Sequence, residues 1–221
     1  LPVTVDAVAD EADLNVADAT GAEDTAIPLT ISSELTDVDG SETLSLTISG
    51  VPEGATLSAG TYDEETGDWT LTPDQLEGLT VTPATNDSDN FQLTVTATTT
   101  DGTDTTSVSE TLDVTVEGVA DAPTLDVTDA AGTEDQPIAL DIQSGLTDDS
   151  EVLSVTISGV PEGATLSAGT FDEQTGDWAL SPADLVGLTV TPPADSDEDF
   201  ELTVTATSTE TDPDTGEQGT A

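Results

Sequence analysis

The chain of 221 residues carries 48 Asp and Glu but no Lys, Arg, His, Cys or Met, for a formal charge of −48. Nothing in it neutralises phosphate, which excludes nucleic-acid binding and direct contact with anionic membranes; thiol chemistry, Cys/His zinc sites, Ser-His-Asp triads and Schiff-base lysines each lack an essential side chain. With aromatics at only 3%, the composition borders on that of disordered chains, so folding has to be argued from pattern.

In chain order, the pattern is that of short strands. Residues 14–16, 27–32, 44–51, 56–62, 69–72, 79–82, 91–98 and 109–117 are the predicted strands. Leu44-Ser-Leu-Thr-Ile48 and Phe91-Gln-Leu-Thr-Val-Thr-Ala97 show the reason: apolar residues alternate with Thr, Ser or Gln at period two, as half-buried strands require. Pro52-Glu-Gly54, Glu65-Thr-Gly-Asp68 and Pro73-Asp74 supply turns between them. Only 73–79 and 182–188 suit a helical turn. No apolar run approaches the length of a membrane span. With no Met in the chain, Leu1 reads as the first residue of a fragment.

The chain repeats itself. Residues 47–61 (TISGVPEGATLSAGT) recur unchanged at 156–170. Gly67-Asp-Trp69 matches Gly176-Asp-Trp178, Leu93–Thr98 matches Leu202–Thr207, and Gly21-Ala-Glu-Asp24 matches Gly132-Thr-Glu-Asp135. The register shifts by two residues where Asp37-Val-Asp-Gly40 shortens to Asp148-Asp149, which places a loop there. Leu1-Pro-Val-Thr-Val-Asp6 aligns with Leu112-Asp-Val-Thr-Val-Glu117, the strand expected to close the first unit. The expected organisation is therefore the terminal strand of a preceding repeat at 1–7, a first repeat at 8–118, and a second at 119–221 that ends before its own closing strand. The short link Gly118-Val-Ala-Asp-Ala-Pro123 makes a stiff joint.

About 110 residues of short strands per unit point to an all-β fold of antiparallel Ig-like or cadherin-like β-sandwiches in tandem, end to end. At about 3.3 Å per strand residue each unit would span roughly 40 Å. Tyr62, Trp69 and Phe91, with their counterparts Phe171, Trp178 and Phe200, are assigned to the cores.

The acidic residues concentrate in the expected loops. The first unit offers Glu23 and Asp24, Asp37 and Asp39 with Glu42, Asp63-Glu-Glu65, Asp87 and Asp89, and Asp101 with Asp104. The second offers Glu134 and Asp135, Asp148 and Asp149 with Glu151, Asp172-Glu173, Asp195-Ser-Asp-Glu-Asp199 and Asp212-Pro-Asp214, with Asp121 in the link. Hard oxygen donors among small residues suit Ca2+, which takes six to eight oxygens in tolerant geometry, better than Mg2+, which demands strict octahedra. The metal-ligand set expected is Glu23, Asp24, Asp37, Asp39, Glu42, Asp87, Asp89, Asp101, Asp121, Glu134, Asp135, Asp148, Asp149 and Glu151. Chain direction through a sandwich would bring the 23–24 and 87–89 loops together beside Asp121, facing the 148–151 loop of the next unit. Glu53, Glu77 and Glu201 fall outside these loops and are read as solvated surface.

Val119-Ala-Asp-Ala-Pro123, Gly132-Thr-Glu-Asp135, Thr36-Asp-Val-Asp-Gly-Ser-Glu42, Tyr62-Asp-Glu-Glu-Thr-Gly67 and Leu93-Thr-Val-Thr-Ala-Thr98 together resemble the extender repeats of large bacterial RTX-type adhesins. The resemblance covers essentially the whole chain. It implies cadherin-like or Ig-like units forming a calcium-rigidified stalk, secreted by a type I system to the bacterial cell surface. Such a stalk projects an adhesive domain whose target is bound elsewhere in the parent protein, for attachment or biofilm formation. By similarity to cadherins, Glu23 and Glu134 correspond to the acidic residue of the first inter-strand loop, Asp121 to the linker aspartate, and Asp37 and Asp39 to the paired aspartates capping the next unit. The partners implied are calcium ions and adjacent repeats, and no enzyme activity. The alternatives weighed are a saccharide- or protein-binding sandwich and a carboxylate-only glycoside hydrolase.

Overall fold

The computed structural model describes residues 1–4, 6–211 and 218–221. The fold is all-β, in two units, Leu1–Gly118 and Val119–Ala221. The first unit contains Asp13–Ala17 (β1), Ala19–Ala22 (β2), Ile27–Pro28 (β3), Thr30–Glu34 (β4), Glu42–Ser49 (β5), Thr56–Leu57 (β6), Thr61–Tyr62 (β7), Trp69–Leu71 (β8), Thr80–Thr82 (β9), Phe91–Asp101 (β10) and Asp104–Glu117 (β11). A 3-10 turn, Pro73–Leu76, is capped by Gln75 Oε1, which accepts the Thr72 N–H at 2.9 Å.

Six strands in the order β2-β11-β10-β5-β8-β7 make one sheet; β3-β9-β6 and β1-β4 make the other face of the sandwich. Between them lies a core of Ile27, Leu46, Ile48, Leu71, Val81, Leu93, Val95, Leu112, Val114 and Val116. These are the inward residues of the period-two pattern, so strand register and burial are fixed by one alternation. One pairing departs from the antiparallel rule: β2 runs parallel to β11, with Val114 opposite Ala19. The chain leaves β1 at Asp18 and crosses to the other sheet, and Asp18 Oδ1 fastens the crossing by accepting the Asp113 N–H at 2.9 Å.

The second unit follows the same plan with Thr124–Thr128 (β12), Ile138–Ala139 (β13), Asp141–Gly145 (β14), Val152–Ser158 (β15), Thr165–Leu166 (β16), Thr170–Phe171 (β17), Trp178–Leu180 (β18), Thr189–Thr191 (β19), Thr203–Thr211 (β20) and Gln218–Thr220 (β21). Its sheets run β17-β18-β15-β20-β21, β13-β19-β16 and β12-β14.

Several expectations are corrected. The predicted strand 27–32 divides into β3 and β4, which pair with β9 and β1 respectively. Strand 56–62 likewise divides between the two sheets, and the switch runs through Gly60, where φ is +105° and an added Cβ would lie 3.0 Å from Leu71 Cγ. The helical turns are shorter than expected, at Pro73–Leu76 and Pro182–Leu185. Tyr62 and Phe171 are not core residues: they are 51% and 48% exposed. Each lies on a two-residue edge strand and leans on a single neighbour, Tyr62 on Trp69 with centroids 5.4 Å apart and Phe171 on Trp178 at 5.6 Å. The tryptophans and Phe91 and Phe200 pack partly buried against the cores.

Gly50 ends β5 at φ +84°, and a Cβ there would sit 2.5 Å from Gln92 O; Gly67 has φ +80° but open space around it. Gly50→Ala is expected to destabilise the first unit by about 2–5 kcal/mol, the sum of left-handed backbone strain and overlap. Gly67→Ala should lose about 1–2 kcal/mol from strain alone. Scanning calorimetry of the two variants at fixed ionic strength checks the difference.

Candidate metal centre

The β10–β11 hairpin sets the two ends of the first unit. At its turn, Asp101 stands opposite both Asp104 and Glu42 in strand register. The incoming chain is fastened here: the Asp10 N–H donates to Glu42 Oε1 at 2.7 Å and the Ala9 N–H to Asp104 Oδ2 at 2.9 Å. The neighbouring loop folds on its own carboxylates, with Asp37 Oδ1 accepting the Asp39 N–H at 3.0 Å and Asp39 Oδ1 the Ser41 N–H at 2.8 Å. Hydrogen bonds from the Ser41 side chain and then its backbone hold Asp39 below the ordinary aspartate range.

The second unit repeats this end. The Asp121 N–H donates to Glu151 Oε1, and Ser208 Oγ donates to the Asp121 carbonyl. Asp148 Oδ1 accepts the Ser150 N–H at 2.8 Å, and Ser150 Oγ donates to Glu210 Oε2 at 3.1 Å. Glu42, Asp148, Glu151 and Glu210 are at most 6% exposed. Each of Glu42, Asp148 and Glu151 also has one buried carboxylate oxygen, Oε2, Oδ2 and Oε2 respectively, with no hydrogen-bond partner. A buried polar atom is normally paired, and a buried carboxylate normally faces a cation. This chain has no cationic side chain to offer.

At the far end of β10, Asp24 adopts φ +54° and its Oδ1 accepts the Asn86 N–H at 3.0 Å, while Asp87 Oδ1 accepts the Asp89 N–H at 3.0 Å. The 23–24 and 87–89 loops therefore do meet. Their counterparts meet too, since Asp135, at φ +58°, accepts the Asp195 N–H at 3.0 Å. Glu23 is buried beside the end of β11, its N–H donating to Glu117 O at 2.9 Å, whereas Glu134 is exposed. Asp24, Asp39, Asp89, Asp135 and Asp149 are exposed; Asp37, Asp87, Asp101 and Asp121 are half-buried; Glu53, Glu77 and Glu201 lie on the surface. Asp212 and Asp214 lie outside the described residues.

The donor chemistry is all oxygen, which fits a hard cation such as Ca2+. Among the described residues, however, no three acidic side chains form a group that could hold a metal ion as arranged. What is built in is the orphaned oxygen. Asp10, Glu210 and Asp104 belong to this end and were not in the expected set. The repeat carries the signal for the first two: Asp10 aligns with Asp121 and Glu210 with Asp101. For Asp104 the signal is its place across the hairpin turn from Asp101.

No protein-family model matches the chain, and no curated protein does. Among solved structures, Drosophila N-cadherin EC1-4 is similar over 95% of this chain and 49% of that one, at 18% identity and a TM-score of 0.27; this chain thus spans about half that length. The D00-D0 domain of Intimin is similar over 94% of this chain and 96% of that one, at 16% identity and a TM-score of 0.30. Rst D1-D2 is similar over the same shares, at 14% identity and a TM-score of 0.30.

Because the folded pKa of Asp39 is depressed, its contribution to stability is present above the ordinary aspartate pKa and is lost as pH falls through the lower folded value. Ser41→Ala, which removes the side-chain hydrogen bond, should move the Asp39 titration back up toward the ordinary range. A carboxyl-carbon NMR titration of both proteins measures it.

Proposed function

We propose that the chain is a calcium-stabilised structural extender module of a secreted, cell-surface bacterial adhesin, an extracellular spacer for a distal ligand-binding domain used in attachment or biofilm formation. One observation carries this reading: buried carboxylates with unpartnered oxygens stand at the entry end of each unit, in a chain that has no cationic side chain. Glu42 with Asp101 and Asp104 would hold calcium in the first unit, and Asp148 and Glu151 with Glu210 in the second. The ion supplies charge neutralisation and cross-links the loop to strand ends that are distant in sequence. The chain's own part is already in place, since one oxygen of Glu42 and one of Glu151 hold the entering backbone. A divalent ion on the other oxygen then joins the entering chain, the 37–42 or 148–151 loop and the hairpin end.

Calcium that binds only the folded state adds about 2.7 kcal/mol at a hundredfold excess over Kd. Thermal melts in Ca2+ and in EGTA, at matched ionic strength, should therefore differ by several degrees. Glu42→Gln and Glu151→Gln keep the carbonyl oxygen that accepts the backbone N–H but remove the buried charge. Each should raise the melting temperature in EGTA and shrink the calcium increment. Equal melts in Ca2+ and EGTA for the parent chain overturn the calcium reading. Small-angle scattering tests the extender half, which an extended particle supports and a compact one overturns.

A second reading, a saccharide-binding module, is favoured by the half-exposed Tyr62 on Trp69 and Phe171 on Trp178, since exposed ring faces stack on sugars. Under it, Tyr62→Ala with Phe171→Ala abolishes glycan-array binding and leaves the melt unchanged.

A further inference from the structure

The two entry ends are built from matching residues on loops of different length, and one serine is put to two uses. In the first unit the loop reads Asp37-Val-Asp-Gly-Ser-Glu42; in the second it reads Asp148-Asp-Ser-Glu151. Ser41 and Ser150 stand in the same place, each just ahead of the glutamate that takes the N–H of the entering chain. The longer loop closes on itself. Asp37 Oδ1 accepts the Asp39 N–H, and Asp39 accepts both the N–H of Ser41, at 2.8 Å, and its hydroxyl. Asp39 is exposed, and Gly40, at φ +91°, has open space around it.

The shorter loop is fastened to its strands instead. Asp148 takes the place of Asp37 but is only 3% exposed, where Asp37 is half-buried. Its Oδ1 accepts the Ser150 N–H at 2.8 Å, and the Ser150 hydroxyl crosses to β20 and donates to Glu210 Oε2 at 3.1 Å. Glu210 and Glu151 are 4% and 5% exposed, and the buried oxygens Asp148 Oδ2 and Glu151 Oε2 have no hydrogen-bond partner. At the first unit's entry the buried oxygen of this kind is Glu42 Oε2, and Asp101, in the place of Glu210, is half-buried.

Two differences follow for a cation. Carboxylates already out of water pay little further desolvation when an ion arrives, and their attraction for it is less screened. A loop already tied to its strand loses little freedom on binding, whereas a loop that must be drawn in spends part of the binding energy on its own ordering. Ligand charge and site rigidity are what tune calcium affinity. We propose that Ser150 assembles the second unit's entry end in advance, so that it takes calcium first, while the first unit's end is assembled by the ion itself and fills at higher calcium. The order of filling rests on the calcium reading; the fastening by Ser150 does not.

Amide hydrogen exchange of the full chain in EGTA tests the fastening alone. Protection at the Ser150 N–H should exceed that at Ser41 by about tenfold, the worth of one hydrogen bond to a charged group. Ser150→Ala should remove the excess and leave the amides of β15 protected. A calcium titration followed by NMR at the same two amides tests the order. The midpoint at residue 150 should lie about tenfold lower in free calcium than that at residue 41, by the same hydrogen bond, and Ser150→Ala should bring the two together. Deleting Val38 and Gly40 gives the first loop the length of the second and should move its midpoint down, a gain that damage to the fold cannot produce. Equal protection at the two serines in EGTA, a first unit that fills no later than the second, or unchanged midpoints in Ser150→Ala overturns the proposal. Calcium that shifts neither amide, with Ser150 still protected in EGTA, overturns the calcium reading and the order of filling with it.

Discussion

Every ionisable side chain but one tyrosine is an acid, and the rest of the structure answers to that. Ion pairs between side chains are impossible, so each carboxylate is solvated, hydrogen-bonded by a backbone N–H or a neutral side-chain donor, or left for a solvent cation. The loops are built from the second option. Asp37, Asp63, Asp87, Asp148 and Asp172 each accept the N–H two residues on, which turns the chain and occupies one oxygen of the charge. Glu42 and Glu151 do the same over a long range, taking the N–H of Asp10 and Asp121 as the chain enters each unit. Only where the second oxygen is also buried does the supply of donors run out.

A β-sandwich suits a chain under this constraint. Its backbone ladders are neutral, and its outer faces need no charge pairs to hold strands together. Thr96 and Ser109 meet across β10 and β11 at 2.8 Å, and Thr98 and Ser107 at 3.0 Å, hydroxyl to hydroxyl. Such cross-strand pairs contribute roughly 0.2–1 kcal/mol each and do not depend on salt as ion pairs would. The inner faces are mainly Leu, Ile and Val, so the sandwich closes without relying on its few aromatic rings.

The strands with strict alternation were legible: β5, β10 and the second half of β11 follow from Leu44-Ser-Leu-Thr-Ile48, Phe91–Ala97 and Leu112–Val116. β2 was not, because Ala-Thr-Gly-Ala has no apolar alternation and is a strand only where β11 presents an edge to it. Tyr62 and Phe171 misled for a related reason. Ring size argues for burial, but burial depends on how many strands flank the ring, and both sit on the last strand of a sheet. The acidic ends were half legible. The nearness of the 23–24 and 87–89 loops followed from chain direction, the contact itself falling one residue earlier at Asn86, whereas the burial of Glu42, Asp148, Glu151 and Glu210 follows from strand lengths that a pattern gives only to within a few residues.

The two repeats separate local from distant causes of burial. Residues 47–61 and 156–170 are identical in sequence and fold alike, with a glycine of φ +84° and +82° ending the same strand and two-residue strands following at the same positions. Ala19 and Ala130 also match, yet one is buried and the other exposed. Nothing in their neighbours along the chain accounts for this. The cause is β11, nearly a hundred residues downstream, which covers Ala19 and pairs with it in parallel. A core assembled in this way depends on a strand distant in sequence as much as on near neighbours, and polar positions on the outer face add to the pairing. Gln92 faces Asp113 in the first unit, while Glu201 holds the same place in the second. In a chain without cationic side chains, Gln92 is the neutral donor that lets Asp113 stand there, and Glu201 has no such hydrogen to give.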